Sequence, residues 1–146
     1  MQIKLITSLS QQQLVQAAAL YCSAAWVLPE EDCSFINAAV AGSFLAAAAF
    51  TDDGMLAGMG RVLSDGVSDA YIQDVVVHPE FRGQGIGGKI VAFLVAELEK
   101  RGVDWIALVG EPGTEKFYSR LGFQEKKGFT LWKWNNSQKE MIYDRT

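Results

Sequence analysis

The sequence predicts an α/β domain, and three stretches carry that reading. Tyr71-Ile72-Gln73-Asp74-Val75-Val76-Val77 is rich in β-branched residues and bounded by turn formers, the pattern of a buried strand. Beyond it, Ile86, Ile90, Val91, Leu94, Val95 and Leu98 recur at helical spacing, and Gly102 follows as a left-handed stop. Upstream, Phe44 to Thr51 and Met55 to Leu63 read as a hairpin closed by Asp53-Gly54.

Taken in order, Ile3 to Ile6 is a short apolar strand. Ser10-Gln11-Gln12-Gln13 forms a capping box, with Leu9 and Leu14 as its hydrophobic staple. The helix it starts runs through Leu14, Val15, Ala18, Tyr21, Cys22 and Ala25 and stops before Pro29. A connection from Trp26 to Asp32 leads to a second helix, capped by Asp32 or Ser34 and ending at Gly42. After the hairpin, Ser64 to Asp69 turn into the Tyr71 strand. Trp105 to Val109 is the next strand, Glu111 to Leu121 a short helix, and Phe123 to Lys126 with Thr130 to Trp134 a final hairpin around Lys127-Gly128. Residues 135–146 are polar and expected to be loosely ordered, with Met141, Ile142 and Tyr143 available to dock. The resulting order is β-α-α-β-β-β-α-β-α-β-β.

Between the Tyr71 strand and the long helix lies His78-Pro79-Glu80-Phe81-Arg82-Gly83-Gln84-Gly85-Ile86-Gly87-Gly88. A helix N-terminus presents unpaired N–H groups and a positive dipole end. Glycines there let an anion approach the backbone, and Arg82 adds a bidentate cation. Phosphate or pyrophosphate is the expected ligand. Two common phosphate motifs fit poorly. Gly83 to Lys89 nearly spells a P-loop, but Ile90 stands where magnesium needs Ser or Thr. Gly83-x-Gly85-x-x-Gly88 has the dinucleotide spacing, with Glu111 placed for a ribose, yet His78 to Arg82 separate it from the strand end.

A third pattern fits better. The run from Val75 to Gly87 resembles the acetyl-CoA signature of the GCN5-related N-acetyltransferases (the GNAT family): a strand, a Pro-containing turn, then Arg-x-x-Gly-x-Gly opening a helix. Phe117-Tyr118-Ser119-Arg120-Leu121-Gly122-Phe123 resembles that family's second hallmark, Phe-Tyr-x-x-x-Gly-Phe. The close resemblance covers roughly residues 70–125. It implies one domain over 1–146, with a mixed central sheet of about six to seven strands flanked by about four helices.

The resemblance also implies roles. The main chain of Val75, Val76 and Val77 would pair with the pantetheine arm of acetyl-CoA, the co-substrate. Amides of Arg82, Gly83, Gln84, Gly85, Ile86, Gly87 and Gly88 would hold its pyrophosphate, with Phe117 beside it. Tyr118 matches the general acid that protonates the thiolate, a task suited to a phenol that stays protonated at neutral pH. On helical spacing alone, the preferred reading of Tyr118 is half of an aromatic pair with Phe117. Asp74 and Glu111 are the candidate bases, and a water chain without a dedicated base stands beside them. Glu111 occupies a position where the family often has Asn, which leaves a cofactor contact there open. His78 reads as a surface turn residue.

Composition sets bounds. At 146 residues and 49% hydrophobic content, the chain can bury its own core. A net charge of −4 with no basic run argues against nucleic acid. The apolar stretch Ala38 to Phe50 is too short for a bilayer, and Met1 to Ser10 resembles no signal segment, so no membrane association and a cytoplasmic location are expected. One histidine and no ligand spacing predict no metal site. Cys22 and Cys33 are expected as reduced, buried thiols. The acceptor is expected to be a small-molecule amine, received between the first two helices and the late hairpin. There Trp26, Glu30, Glu31, Asp32, Trp132 and Trp134 could bind a cation with an apolar body, although a solvated acidic helix start beside tryptophans that simply pack is the favoured reading of those residues. A protein or peptide N-terminus, a non-catalytic acyl-CoA-binding module and a homodimer are left open.

Overall fold

Leu45-Ala46-Ala47-Ala48-Ala49-Phe50 is apolar throughout, and all of it is buried. A strand with no polar face must be covered on both sides. The computed structural model, which describes residues 1–135, shows how. Its strands are β1 (Gln2–Leu5), β2 (Leu45–Phe50), β3 (Leu56–Ser64), β4 (Asp69–Val77) and β5 (Trp105–Leu108). Its helices are α1 (Gln11–Ser23), α2 (Phe35–Gly42), α3 (Ile86–Lys100) and α4 (Glu115–Arg120), with a 3₁₀ turn at Pro79–Phe81. The sheet order is β1-β2-β3-β4-β5, antiparallel except for the parallel β4–β5 pair.

Ala46, Ala48 and Phe50 join Ala17, Leu20 and Tyr21 of α1 and Ile36 and Val40 of α2 on one face. Leu45, Ala47 and Ala49 join Ile90, Val91, Leu94 and Leu98 of α3 on the other. Small residues let the layers approach. A Cβ at Gly58 would lie 3.0 Å from the Val76 carbonyl oxygen and 3.1 Å from Ile90 Cδ1, so α3 rests almost directly on the backbone of β3. The expected capping box starts α1: Gln13 N–H donates to Ser10 Oγ at 3.1 Å, and Ser10 N–H donates to Gln13 Oε1 at 2.9 Å. The expected hairpin joins β2 to β3. No helix among the described residues is long and apolar enough to cross a membrane.

The sheet differs from expectation at its end. Among the described residues it has five strands where about six to seven were expected, because Phe123 to Lys126 and Thr130 to Trp134 do not pair. The turn between them does form, with Phe129 N–H donating to the Lys126 carbonyl at 3.2 Å. A strand pair is held by cross-strand side-chain contacts, and an isolated two-stranded hairpin is marginal in water. Phe-Gln-Glu-Lys offers a single apolar side chain, and Phe123 spends it on the ring of Tyr118. Leu131, Trp132 and Trp134 consequently stay exposed. The short helix is also trimmed: Glu111 to Thr114 form a turn, closed by Thr114 N–H donating to the Glu111 carbonyl at 3.2 Å, and α4 begins at Glu115. Cys22 and Cys33 are free thiols, half-buried instead of buried. The expected docking of Met141, Ile142 and Tyr143 lies outside the described residues.

Candidate active site

The site opens where β4 leaves β5. Their pairing runs only from Asp69–Trp105 to Ile72–Leu108, while β4 continues along β3 to Val77. At the departure point Arg61 pairs with Gln73 and Met59 with Val76, so Asp74 and Val75 together oppose Gly60. This is a bulge, which bends its strand and sharpens the twist. Asp74 adopts φ +55°, a left-handed conformation that a side-chain-bearing residue keeps only when its surroundings hold it. The bend parts Gln73 to Val77 from β5 and, among the described residues, leaves their outward main-chain groups without a strand partner. Val76 turns into the core under α1, whereas Val75 and Val77 pack on the α3 side.

The glycine-rich turn follows. Gly83 and Gly85 have φ of +79° and +78°, so glycine is needed for conformation, and open space lies where a Cβ would sit. Gly85 is the N-cap of α3 and no side chain caps that end. The first intrahelical donor is Lys89 N–H, to the Gly85 carbonyl at 3.1 Å. The N–H groups of Ile86, Gly87 and Gly88 precede it and have no intrahelical acceptor, which together with the dipole suits a diphosphate. Arg82 and Gln84 are exposed at the rim. The Arg82 guanidinium is folded back: Nε donates to the Val77 carbonyl at 3.0 Å and Nη2 to Ser23 Oγ at 3.4 Å. It ties β4 to α1 while remaining beside the turn.

The second motif docks on the first. A Cβ on Gly87 would meet Phe117 Cζ at 3.3 Å, and one on Gly88 would meet Leu121 Cδ2 at 3.4 Å. Tyr118, half-buried, packs edge-on against Phe117 and Phe123, with ring centroids 4.9 and 5.9 Å apart. Burial, then the neighbouring charge of Glu111, raises the Tyr118 pKa above the usual phenol value. Glu111 is exposed, and its Oε1 accepts a hydrogen bond from Trp26 Nε1 at 3.1 Å. Trp26 in turn stacks edge-on against Tyr21 at 5.1 Å, and the Tyr21 hydroxyl donates to Asp74 Oδ2 at 2.9 Å. A chain of contacts thus links the bulge to Glu111, the carboxylate whose charge acts on Tyr118. His78 lies in the turn, its Nδ1 accepting from Glu80 N–H at 3.1 Å.

Asp74, expected as a candidate base, is engaged: Arg61 Nε donates to the same Oδ2 at 2.7 Å. Sequence reasoning passed over Arg61 and read Tyr21 only as part of an apolar helix face. One signal was available for Arg61, a lone cation inside an otherwise apolar strand, since such a residue is seldom buried without a partner.

Residues 42–125 match the family described as Acetyltransferase (GNAT) domain. Over 91 residues the chain is 35% identical to the uncharacterized N-acetyltransferase ycf52 of Gracilaria tenuistipitata var. liui, covering 60% of this chain and 50% of that protein. It is 46% identical over 63 residues to the chloroplastic serotonin N-acetyltransferase 2 of Oryza sativa subsp. japonica, covering 43% of this chain and 32% of that protein. The chain spans half or less of the length of these curated relatives. A GNAT family acetyltransferase structure from Streptococcus pneumoniae TIGR4 superposes with a TM-score of 0.75 at 25% identity, covering 94% of this chain and 98% of that one.

Proposed function

Starting from a chain that belongs to the GNAT acetyltransferase family, we propose that it transfers the acetyl group of acetyl-CoA to a primary amine, with a small-molecule amine as acceptor. The observation that carries this reading is the docking of α4 on α3. Phe117 rests against Gly87, so the uncapped end of α3 and the Tyr118 phenol are fixed together beside the opened edge of β4.

Acetyl-CoA suits the residues present. The open space over Gly83 and Gly85 and the spare N–H groups of Ile86, Gly87 and Gly88 accommodate a diphosphate. The edge of β4 from Gln73 to Val77 that faces away from β3, beyond the last β5 pair, offers main-chain donors and acceptors to an amide-bearing arm. When bound, acetyl-CoA supplies a thioester activated toward an amine. The chain's contribution begins with positioning two reactants in one cleft, the largest entropic part of the barrier. A backbone N–H of the Val75–Val77 segment supports the carbonyl oxygen as it gains charge. Tyr118 holds a proton on its hydroxyl and gives it to the departing sulfur. Glu111, exposed and next to Tyr118, takes the proton that the attacking amine loses, directly or through water, and its charge draws a cationic amine to the mouth. The rice relative named for serotonin supports beginning the acceptor search with arylalkylamines.

Calorimetric titration with acetyl-CoA, CoA and NAD, on wild type and on Gly85→Glu, tests the reading. Acetyl-CoA should bind wild type and fail to bind the variant, whose carboxylate occupies the diphosphate site, with circular dichroism confirming that the variant is folded. Amines that release CoA from the wild-type complex then define the acceptor. Binding of NAD in preference to acetyl-CoA, or of neither, would sink the proposal, and CoA release with peptide N-termini alone would replace the small-molecule acceptor.

A further inference from the structure

We propose that Arg61, Asp74 and Tyr21 form a clamp that holds β4 away from β5, making Asp74 a positioning residue of the site and not its base; the inference rests on the acetyl-CoA reading above. One carboxylate oxygen, Asp74 Oδ2, receives Arg61 Nε at 2.7 Å from β3 and the Tyr21 hydroxyl at 2.9 Å from α1. Arg61 also reaches Ser43 Oγ, just past the end of α2, at 3.4 Å. Two pieces of the fold, β3 and α1, therefore converge on the residue whose backbone makes the bulge, and the end of α2 is tied in through Arg61. Asp74 lies at φ +55°, and such strain persists only where several contacts over-determine it. Charge-assisted bonds to a carboxylate whose side chain is only 25% exposed are short and strong, and can supply that hold.

The same contacts give Asp74 a role that proton transfer would disturb. Its Oδ2 is met by a guanidinium and a hydroxyl that both need it as an acceptor, and a proton taken up by the carboxyl would weaken the charge-assisted bond to Arg61. Burial and the neighbouring carboxylate hold the Tyr21 pKa well above the usual phenol value, so Tyr21 remains a donor throughout the neutral range. Through its ring, Tyr21 also braces Trp26, the hydrogen-bond partner of Glu111, so the clamp supports the acceptor side of the cleft as well.

Three substitutions test the clamp: Asp74→Asn, Arg61→Met and Tyr21→Phe. The readouts are acetyl-CoA affinity, kcat, and hydrogen exchange at the Val75, Val76 and Val77 amides. Asn keeps an acceptor oxygen and tolerates left-handed backbone, so Asp74→Asn should retain kcat within about tenfold. Arg61→Met should weaken acetyl-CoA binding by about tenfold and speed exchange at all three amides, with Tyr21→Phe acting in the same direction by a smaller factor. If Arg61→Met does not fold, the nearly isosteric Tyr21→Phe decides alone. A loss of kcat of about a hundredfold or more in Asp74→Asn, with acetyl-CoA affinity and exchange unchanged, would restore Asp74 as the base. Unchanged affinity and exchange in both Arg61→Met and Tyr21→Phe would remove the clamp. Failure of wild type to bind acetyl-CoA would sink the transferase reading instead, while exchange at the three amides would still report on the clamp.

Discussion

Burial and the charge of Glu111 both disfavour a phenolate at Tyr118, so the proton it carries is held more tightly than on a free tyrosine. An acid raised in this way is useful below its pKa and is lost as pH climbs through it. The alkaline limb of kcat should consequently fall above pH ~10, the ordinary value for a phenol. Tyr118→Phe keeps both edge-on contacts, since they involve only the ring, and removes the proton. It should lower kcat by about a hundredfold while leaving acetyl-CoA affinity unchanged. Steady-state kinetics paired with calorimetry reads both quantities. Equal kcat in the two proteins would reduce Tyr118 to the aromatic pair with Phe117 that its helical spacing also allows. Arg82 offers a contrast. Its charge was easy to assign to the glycine turn from sequence, but its bonds to the Val77 carbonyl and to Ser23 make it equally a strut between β4 and α1.

Among the elements, α3 has the tightest seat. Ile90 lies over Gly58 and Gly60, and Gly58→Ala would press a methyl to 3.0 Å from the Val76 carbonyl, a main-chain atom that cannot rotate away. Either β4 or α3 must move, and such overpacking should cost about 1–3 kcal/mol in a urea melt. Because both elements line the cleft, acetyl-CoA affinity should fall too; a stable variant with full affinity would show that the contact is softer than its geometry. Periodicity, caps and turn residues made the elements legible through α4: the Ser10 capping box, the Asp53-Gly54 turn and the Tyr71 strand all form. The glycine turn and the Phe-Tyr motif were legible for the same local reason. The bulge at Asp74 was not, because a register shift between β3 and β4 depends on the pairing of two distant strands. Nor was the fate of the C-terminal runs. Local β-propensity marked Thr130 to Trp134, but pairing depends on what the partner strand brings, and Phe123 to Lys126 brings little.

The whole molecule is two cores sharing one sheet, and β2 is where they touch. Ala47 and Ala48 are both fully buried and adjacent, yet Ala47 belongs to the α3 core and Ala48 to the α1–α2 core. Both side chains are fully buried, so the added bulk of Ala47→Leu and Ala48→Leu should each destabilise the fold by about 1–3 kcal/mol in denaturant. Their functional effects should separate. The larger side chain at Ala47 pushes into the core filled by Ile90 and Leu94 of α3, the helix whose N-terminus is the proposed diphosphate site, and acetyl-CoA affinity should fall. At Ala48 the push is into the core that also holds Leu20 and Tyr21, whose hydroxyl meets Asp74; hydrogen exchange at Val75 to Val77 should quicken, with a smaller change in affinity. Measuring melts, calorimetric affinity and exchange on the two variants compares neighbours in one strand that differ only in the face they occupy. Matching losses of stability with no difference in affinity or exchange would mean that the sheet absorbs the strain locally and that neither helix transmits it to the cleft.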